Sequence, residues 1–294
     1  MKAIVFGGSG FIGSHVADIL QERGYEVTVF DVRPSKYLGD GQKMIVGDIL
    51  DIDLVRNATK GASVVYNFAG IADIEEASRK PIETIRQNIL GNAHILDSIK
   101  KETIRRYVFA STVYVYSSTG SFYKDSKHAC ELYIEDYSKQ YGIPYTILRY
   151  GSLYGPRADE RNPINKLLKQ AITEKKLSYW GDGEEIREYI HVEDAARCSV
   201  DILDENFVNQ NVILTGHHPI KSRDLLVLIN EIFGNTLQIE FNKDESELHY
   251  NVAPYSFNPR IGKKYVSHYY LDMGQGLLRS IEEIYKTYHL GKQK

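Results

Sequence analysis

The feature that most constrains the fold is a regular alternation of predicted strands and helices in the first half of the chain. Residues 2–31, KAIVFGGSGFIGSHVADILQERGYEVTVFD, predict a strand, a glycine-rich turn, a helix and a second strand. Ala3 to Phe6 form an uninterrupted apolar run, which is typical of a strand covered on both faces. Because this alternation continues to Gly151, we predict an α/β fold, a Rossmann doubly wound parallel sheet.

After Gly151 the regular alternation of strands and helices ends. A loop-like stretch, LYGPRADERNP, precedes a mixture of predicted helices and short strands. The helices are predicted over 164–175, 222–233 and 276–288. We predict a smaller, mainly α+β unit over 151–294. Residues 1–150 are predicted to form the first domain, with later segments near 189–214 returning to it.

Composition and charge exclude several classes of protein. The chain has 294 residues and a formal net charge of −3, so no basic field favours nucleic acid. No apolar run is long enough for a membrane helix, and no signal peptide is evident. The two cysteines, Cys130 and Cys198, cannot form a disulfide framework, and no Cys/His pair has metal-ligand spacing. We expect a cytoplasmic protein without a metal, without a membrane contact and without a nucleic-acid partner.

The glycines of the first strand-to-helix turn predict a dinucleotide site. Gly7, Gly10 and Gly13 stand where a chain must turn tightly and approach a pyrophosphate closely. Asp31 ends the second strand, where a carboxylate accepts hydrogen bonds from the adenosine ribose. A carboxylate there repels a 2′-phosphate, so NAD is favoured over NADP, although the nearby Arg33 leaves NADP open.

A set of ordered motifs along nearly the whole chain resembles one family. The motifs are GGSGFIG at 7–13 (with its preceding strand), GDI at 47–49, NFAG at 67–70, NILGN at 88–92, STVYVYS at 111–117, Tyr123-x-x-x-Lys127, LRYGSLYGPR at 148–157, WGDGEEIREYIHVEDAA at 180–196 and PRIGK at 259–263. The chain resembles the extended short-chain dehydrogenase/reductases, specifically the NAD-dependent nucleotide-sugar epimerase/dehydratase group, and is similar to UDP-glucose 4-epimerases.

The resemblance implies further cofactor contacts. Phe11 and Ile12 would present backbone N–H groups in the first helical turn, beside the glycines. Asp48 and Ile49 would flank the adenine. Three more residues complete the predicted NAD site: Ala69, Gly70 and Asn88.

Tyr123 and Lys127 are predicted to form the proton-transfer pair. They stand one helical turn apart, so both side chains point the same way. A tyrosine hydroxyl titrates near ~10, and we expect the lysine ammonium and the nicotinamide to lower that pKa. By the resemblance, Lys127 also holds the nicotinamide ribose, and Thr112 hydrogen-bonds the sugar hydroxyl that is oxidised.

The second half is predicted to bind the nucleotide diphosphate of the substrate. The resemblance places Arg187 and Arg260 on the phosphates, where guanidinium groups bind oxygens bidentately. Ser152 stands where many relatives have an asparagine that touches the diphosphate sugar. For Arg187 the competing interpretation is a surface pair with Glu184 or Glu188.

Four functional hypotheses follow. The first is an NAD-dependent nucleotide-sugar 4-epimerase, acting through a transient 4-keto sugar, with a UDP-sugar favoured. The second is a dehydratase or decarboxylase, but those relatives carry an acid beside the catalytic Ser/Thr, where this chain has Val113. An NAD(P)-linked reductase or dehydrogenase is the third. A non-catalytic NAD-sensing protein on the same fold is the fourth.

Two expectations concern the surroundings of the site. Only ten residues, Val113 to Phe122, join Thr112 to Tyr123, whereas relatives place a longer loop there. We expect a pocket that is more open beside the sugar or is completed by a second subunit. A homodimer is predicted through the helices from Ile82 to Lys100 and from Tyr123 to Tyr141. Leu132, Ile134, Ile89 and Ile95 are expected to supply its apolar surface.

Overall fold

A computed structural model of the chain describes residues 1–242, 263–265 and 270–290. Within these ranges, no helix is both long enough and apolar enough to cross a membrane.

The central element is a parallel sheet, which has eight strands within the described ranges. Its strands are β1 (Lys2–Phe6), β2 (Glu26–Asp31), β3 (Lys43–Val46), β4 (Val64–Asn67), β5 (Arg106–Thr112), β6 (Tyr145–Tyr150), β11 (Gln210–Leu214) and β14 (Lys263–Lys264). Their spatial order is β3-β2-β1-β4-β5-β6-β11-β14. This order reverses between β1 and β4, which defines the switch point of a doubly wound Rossmann sheet. The predicted fold class is therefore confirmed.

Helices cover both faces of this sheet. They are α1 (Phe11–Glu22), α2 (Ile52–Thr59), α3 (Ile74–Arg79), α4 (Pro81–Thr84), α5 (Gly91–Ile99), α6 (Ser121–Tyr141) and α8 (Val192–Asp201). A π-helical segment, Ile85–Leu90, joins α4 to α5, so the helix predicted from 82 to 100 exists as one helical run with a widened turn. Short 3-10 helices follow β5 (Val113–Tyr116) and α8 (Glu205–Phe207).

The strand side chains alternate between two apolar layers. Ile4 and Phe6 of β1 point into the layer beneath α2, α5 and α6, whereas Val5 points into the layer beneath α1 and α8. Both layers are almost fully buried, as the uninterrupted apolar run in the sequence predicts. Cys130 and Cys198 lie inside these layers as free thiols.

The remaining elements build a smaller unit beside the carboxyl ends of the strands. They are β7 (Ser152–Tyr154), α7 (Pro163–Glu174), β8 (Lys176–Trp180), β9 (Ile186–Arg187), β10 (Tyr189–His191), β12 (Ile220–Lys221), α9 (Ser222–Ile232), β13 (Gln238–Asn242) and α10 (Met273–Leu290). Three two-stranded pairs form here: β7 with β10, β9 with β12, and β8 with β13. Residues of α7, α9 and α10 share a separate apolar core.

The two parts are interleaved. Strand β11 lies in the central sheet beside β6, and α8 packs on α1, although both follow the substrate-side strands in sequence. Arg157 adds a polar link: its guanidinium lies 2.8 Å from the Asp18 carboxylate on α1, and its backbone N–H donates to Glu283 on α10. The substrate-side elements are therefore fixed against the sheet at several points.

Candidate functional site

The predicted site residues gather at the carboxyl edge of the central sheet. Phe6, Asn67 and Phe109 are neighbours in register on β1, β4 and β5, and Thr112 lies beside Tyr150 at the end of β6. The glycine turn, the loop after β4 and Thr112 therefore share one edge. In open α/β sheets, ligands bind at this edge beside the switch point.

The glycine turn has the close backbone approach that a dinucleotide site requires. Gly7 has φ +74°, and a Cβ there would lie 2.6 Å from the backbone of Phe68 and Ala69. A Cβ on Gly13 would lie 2.3 Å from the Gly7 carbonyl oxygen. Gly10 caps α1 without a side-chain hydrogen bond, so the first-turn N–H groups, including those of Phe11 and Ile12, are not bonded by a capping side chain. This end of α1 fits the pyrophosphate of NAD.

Asp31 lies directly beside the glycine turn. Its carboxylate accepts hydrogen bonds from the backbone N–H of Ser9 at 3.1 Å and of Arg33 at 3.2 Å. These bonds fix the carboxylate beside the turn, and its remaining lone pairs can accept from ribose hydroxyls. Asp48 is used locally, since its Oδ1 accepts from the Leu50 N–H at 2.9 Å.

The Ile49 side chain is buried in the core, where a Cβ on Gly91 would lie 2.3 Å from its Cδ1. Its backbone carbonyl oxygen lies 3.0 Å from His94 Nδ1. The contact of Ile49 with the adenine stays a prediction.

The Asn88 amide is buried and makes its hydrogen bonds within the protein. Its direct contact with the cofactor stays a prediction. Its Oδ1 accepts from the Ile71 N–H at 2.7 Å, and its Nδ2 donates to the Ile71 carbonyl and to Ser126 Oγ. Asn88 therefore holds the loop that contains Ala69 and Gly70, whose φ is +131°, and positions that loop against the glycine turn.

Thr112, Tyr123 and Lys127 are brought together as predicted from the sequence. The Thr112 side chain lies near the Tyr123 hydroxyl, close enough to lower its pKa. The Lys127 Nζ lies 5.9 Å from the centre of the Tyr123 ring and donates to the Ala110 carbonyl at 2.8 Å. Thr112 Oγ1 also accepts a hydrogen bond from the Tyr114 N–H, and this bond caps the 3-10 helix after β5.

Burial determines the pKa values of this pair. Desolvation raises the pKa of Tyr123 to about 12, although the nearby Thr112 side chain opposes the rise. Desolvation also lowers the pKa of Lys127 to about 8. In the protein without cofactor, desolvation therefore dominates. The prediction that the ammonium and the nicotinamide together lower the pKa of Tyr123 concerns the loaded site and stays a prediction.

The short segment after Thr112 forms a compact turn. Val113 is buried in an apolar cluster with Val115, Tyr116 and Ile213. The Ser117 and Thr119 hydroxyls lie 2.8 Å apart, and the Ser117 Oγ accepts from the Thr119 N–H. Gly120, at φ +99°, is the N-cap residue that precedes α6. No acidic side chain stands between Thr112 and Tyr123.

Ser152 and Arg187 lie on the substrate side of this edge. Ser152 begins β7, directly after β6, and is in register with Tyr189 of β10. Arg187 is on β9, two residues before Tyr189 in the chain, and is partly buried. Of the two carboxylates proposed as surface partners, Glu184 pairs with Lys221 and Glu188 pairs with Lys264. Arg260, the second predicted phosphate ligand, lies outside the described residues.

A buried ion pair that was not predicted from the sequence lies on α6 and β6, one helical turn beyond Lys127. Glu131 and Arg149 are almost inaccessible, at 2% and 3% exposure, and form a bidentate ion pair. A signal was present: Glu131 follows Lys127 by one helical turn, and Arg149 interrupts the apolar strand YTILRY. Within the described residues, no group of three or more His, Cys, Asp or Glu side chains could hold a metal.

The fold and the site define the class of protein. The profile of the NAD dependent epimerase/dehydratase family matches residues 3–215, and the chain belongs to this family. It is an enzyme family that uses NAD, so the predicted cofactor is confirmed at this level.

The relatives of this chain are named for more than one activity. The chain is 32% identical over 247 residues to a UDP-N-acetyl-alpha-D-glucosaminuronate decarboxylase of Bacillus cytotoxicus, covering 75% of this chain and 76% of the relative. It is 31% identical over 218 residues to a putative UDP-glucose 4-epimerase of Methanocaldococcus jannaschii, covering 67% and 72%.

A solved structure matches the whole fold. The UDP-glucuronic acid 4-epimerase of Bacillus cereus, in complex with UDP-glucuronic acid and NAD, superposes with a TM-score of 0.84. The match covers 98% of this chain and 100% of that chain at 23% identity. At this identity the likeness establishes the fold alone.

Proposed function

We propose that this protein is an NAD-dependent nucleotide-sugar 4-epimerase that acts on a UDP-sugar through a transient 4-keto intermediate. The observation that carries the proposal is the placement of Tyr123 near Thr112, with Lys127 one turn away and its Nζ 5.9 Å from the Tyr123 ring centre, at the same sheet edge as the glycine turn. Residues 1–150 would provide the NAD domain and 151–294 most of the substrate domain.

Each group has a defined task in this reaction. Bound NAD supplies a hydride acceptor and donor. Tyr123 removes the proton from the sugar O4 and later returns it, while Thr112 orients that hydroxyl by a hydrogen bond. The Lys127 charge favours the tyrosinate once the ammonium faces it. Arg187 and Ser152 bind the diphosphate. The 4-keto sugar turns within the site, so that the opposite face of its C4 carbonyl faces the cofactor.

The burial of Val113 favours epimerisation over elimination of water. A dehydratase of this family needs an acid beside the catalytic threonine, but the side chain at that position is packed in an apolar cluster. The chain from Val113 to Phe122 offers no substitute acid. This argument applies equally to decarboxylation, despite the similarity to a decarboxylase.

We also propose a homodimer, through a revised surface. Ile95 and Ile134 are fully buried core residues and Ile89 packs partly against the core, so only Leu132 of the four predicted residues is exposed. Other apolar side chains are exposed along the helical run 81–99 and α6, namely Ile82, Ile85, Leu90 and Tyr133. An apolar surface of this kind is best explained by burial against a second copy.

The test is incubation of purified protein and catalytic NAD with UDP-glucose, UDP-N-acetylglucosamine and UDP-glucuronic acid. Products are separated by chromatography while absorbance at 340 nm is followed. We expect a C4 epimer with no accumulation of NADH. Stoichiometric NADH with a stable ketone would indicate a dehydrogenase, loss of CO2 a decarboxylase, and a 4-keto-6-deoxy sugar a dehydratase. Bound NAD without any turnover would support the sensing protein.

A further inference from the structure

A buried polar cluster lies directly behind the catalytic side chains. Glu131 accepts from Arg149 through both carboxylate oxygens, at 3.0 Å from Nε and 2.7 Å from Nη2. Arg149 Nη1 also donates to the Tyr116 hydroxyl at 2.5 Å, and the Ser111 hydroxyl donates to Glu131 at 2.6 Å. We call these four residues the Glu131 cluster.

The Glu131 cluster joins every segment that carries a catalytic group. Ser111 precedes Thr112 on β5, and Tyr116 ends the 3-10 helix that Thr112 caps. Glu131 lies on α6, one turn beyond Lys127 and two beyond Tyr123. Arg149 lies on β6, in register with Ser111. One ion pair therefore fixes the strand end, the short segment and the helix relative to one another.

Stability alone does not explain such a pair. Removing two charges from water costs about as much as their attraction returns, and apolar replacements of similar volume are often neutral or stabilising. The pair does, however, impose geometry, because a guanidinium and a carboxylate that bind through two parallel bonds have little freedom. The placement of Thr112 on β5 relative to Tyr123 on α6 depends on the geometry of these same segments.

We propose that Glu131 and Arg149 are positioning residues, which hold Thr112 against Tyr123 by linking β5, the segment 113–120 and α6. This inference rests on the proposed function. The segment 113–120 is shorter than the loop expected in relatives. The hydrogen bond from Arg149 to the Tyr116 hydroxyl connects this segment to the ion pair. Loss of the cluster would lower turnover while leaving the glycine turn and the substrate arginines unaffected.

The decisive variant is the double substitution Glu131→Leu with Arg149→Met. It removes both charges and retains apolar volume, so a purely structural role would be largely restored. We expect a folded, NAD-binding protein whose kcat is about 10- to 100-fold lower, with KM within about threefold of the wild type. A kcat within about twofold of the wild type would overturn the proposal.

The milder variant Tyr116→Phe tests the same link without risk to the fold. It leaves the ion pair and removes one hydroxyl, and we expect a lower kcat and faster amide exchange in 113–120. Tyr66→Phe is the matched control, since its buried hydroxyl donates to the Ser199 carbonyl at 2.8 Å, away from the site. Unchanged kcat and exchange in Tyr116→Phe would refute the link.

These outcomes separate two kinds of failure. A wild-type protein that converts no nucleotide sugar would defeat the proposed function. A wild-type protein that is active, together with cluster variants that are equally active, would defeat only the positioning role. The exchange measurement needs no turnover and reports on the anchor in either case.

Discussion

Burial shifts the pKa values of the two groups assigned to proton transfer in opposite directions. Tyr123 has its pKa raised to about 12, and Lys127 has its pKa lowered to about 8. At neutral pH the tyrosine is therefore protonated and the lysine mostly charged in the protein without cofactor. A bound positive ring beside Tyr123 favours the tyrosinate, so the base is generated in the loaded site.

Tyr123→Phe removes the proposed base and little else. We expect kcat to fall by about 10²- to 10⁴-fold, because proton transfer to a positioned side chain contributes that much. The retained ring still packs, so the NAD content, read from absorbance of the purified protein, should be nearly unchanged. Near wild-type turnover would remove Tyr123 from its assigned role.

The pH dependence of kcat/KM should follow both groups. The active base is unprotonated, so the rate should rise by up to about tenfold per pH unit between pH 6 and 8. Above pH 8 Lys127 loses its proton, and with it the charge that favours the tyrosinate, so the rise should cease. A profile that is flat or falls between pH 6 and 8 would contradict this assignment.

At the scale of elements, the sequence was most informative where a repeating pattern decided the structure. Apolar runs and helical spacing predicted the Rossmann strands and helices, since these depend on burial alone. The π-helical turn at Ile85–Leu90 has no such pattern. The burial of Ile95 and Ile134 depends on how helices rotate against the sheet, which spacing within one helix does not determine.

The site residues also divide into those that the sequence could predict and those that it could not. Residue types and spacing predicted the glycine turn and the pair Tyr123 and Lys127, and the resemblance to the family predicted Thr112; the structure brings these residues to one sheet edge. The internal hydrogen bonds of Asn88 and the core packing of Ile49 could not be predicted, since each depends on partners in other segments of the chain. The Glu131 cluster likewise joins residues from four separate elements.

Gly120 controls the entry to α6 and offers a test at this scale. It has φ +99°, and a Cβ there would lie 2.8 Å from Tyr114 Cδ1 and 3.0 Å from Lys124 Cβ. Gly120→Ala should lower the free energy of unfolding by about 1–3 kcal/mol and reduce kcat, because the strain falls on the turn before Tyr123. Chemical denaturation and steady-state kinetics measure both.

Gly142→Ala is the matched control for this helix. Gly142 ends α6 at φ +70°, but a Cβ there would meet no atom within 4 Å. Its backbone penalty should lower stability without lowering kcat per folded molecule. If both variants affect kcat equally, the turn before Tyr123 has no special importance.

At the scale of the molecule, interleaving joins cofactor and substrate elements into one unit. β11 returns to the central sheet after the substrate-side strands, and Arg157 links α1 to α10. In the proposed function, a substrate bound between these parts would be held against a fixed cofactor edge. The exposed apolar residues on the helical run 81–99 and α6 lie on the outside of this unit.

The proposed dimer is tested by adding charge to that surface. Ile85→Glu combined with Leu132→Glu should convert a dimer to a monomer in sedimentation at micromolar concentration, because two carboxylates would be buried at the interface. Val227→Glu, at a similarly exposed residue on α9, should leave the dimer intact. A wild-type protein that sediments only as a monomer would defeat the proposal.

The central claim is that one hydride leaves C4 of a nucleotide sugar and returns to the opposite face within the same site. The direct measurement uses UDP-glucose labelled with deuterium at C4, incubated with protein and a trace of NAD, and analysed by mass spectrometry and NMR. We predict a C4-epimeric product that retains the deuterium at C4, with no rise in absorbance at 340 nm. If UDP-glucose is not turned over, the same label is placed in the sugar that the substrate screen identifies. Loss of the label to the medium, or deuterated NADH in proportion to product, would contradict the account.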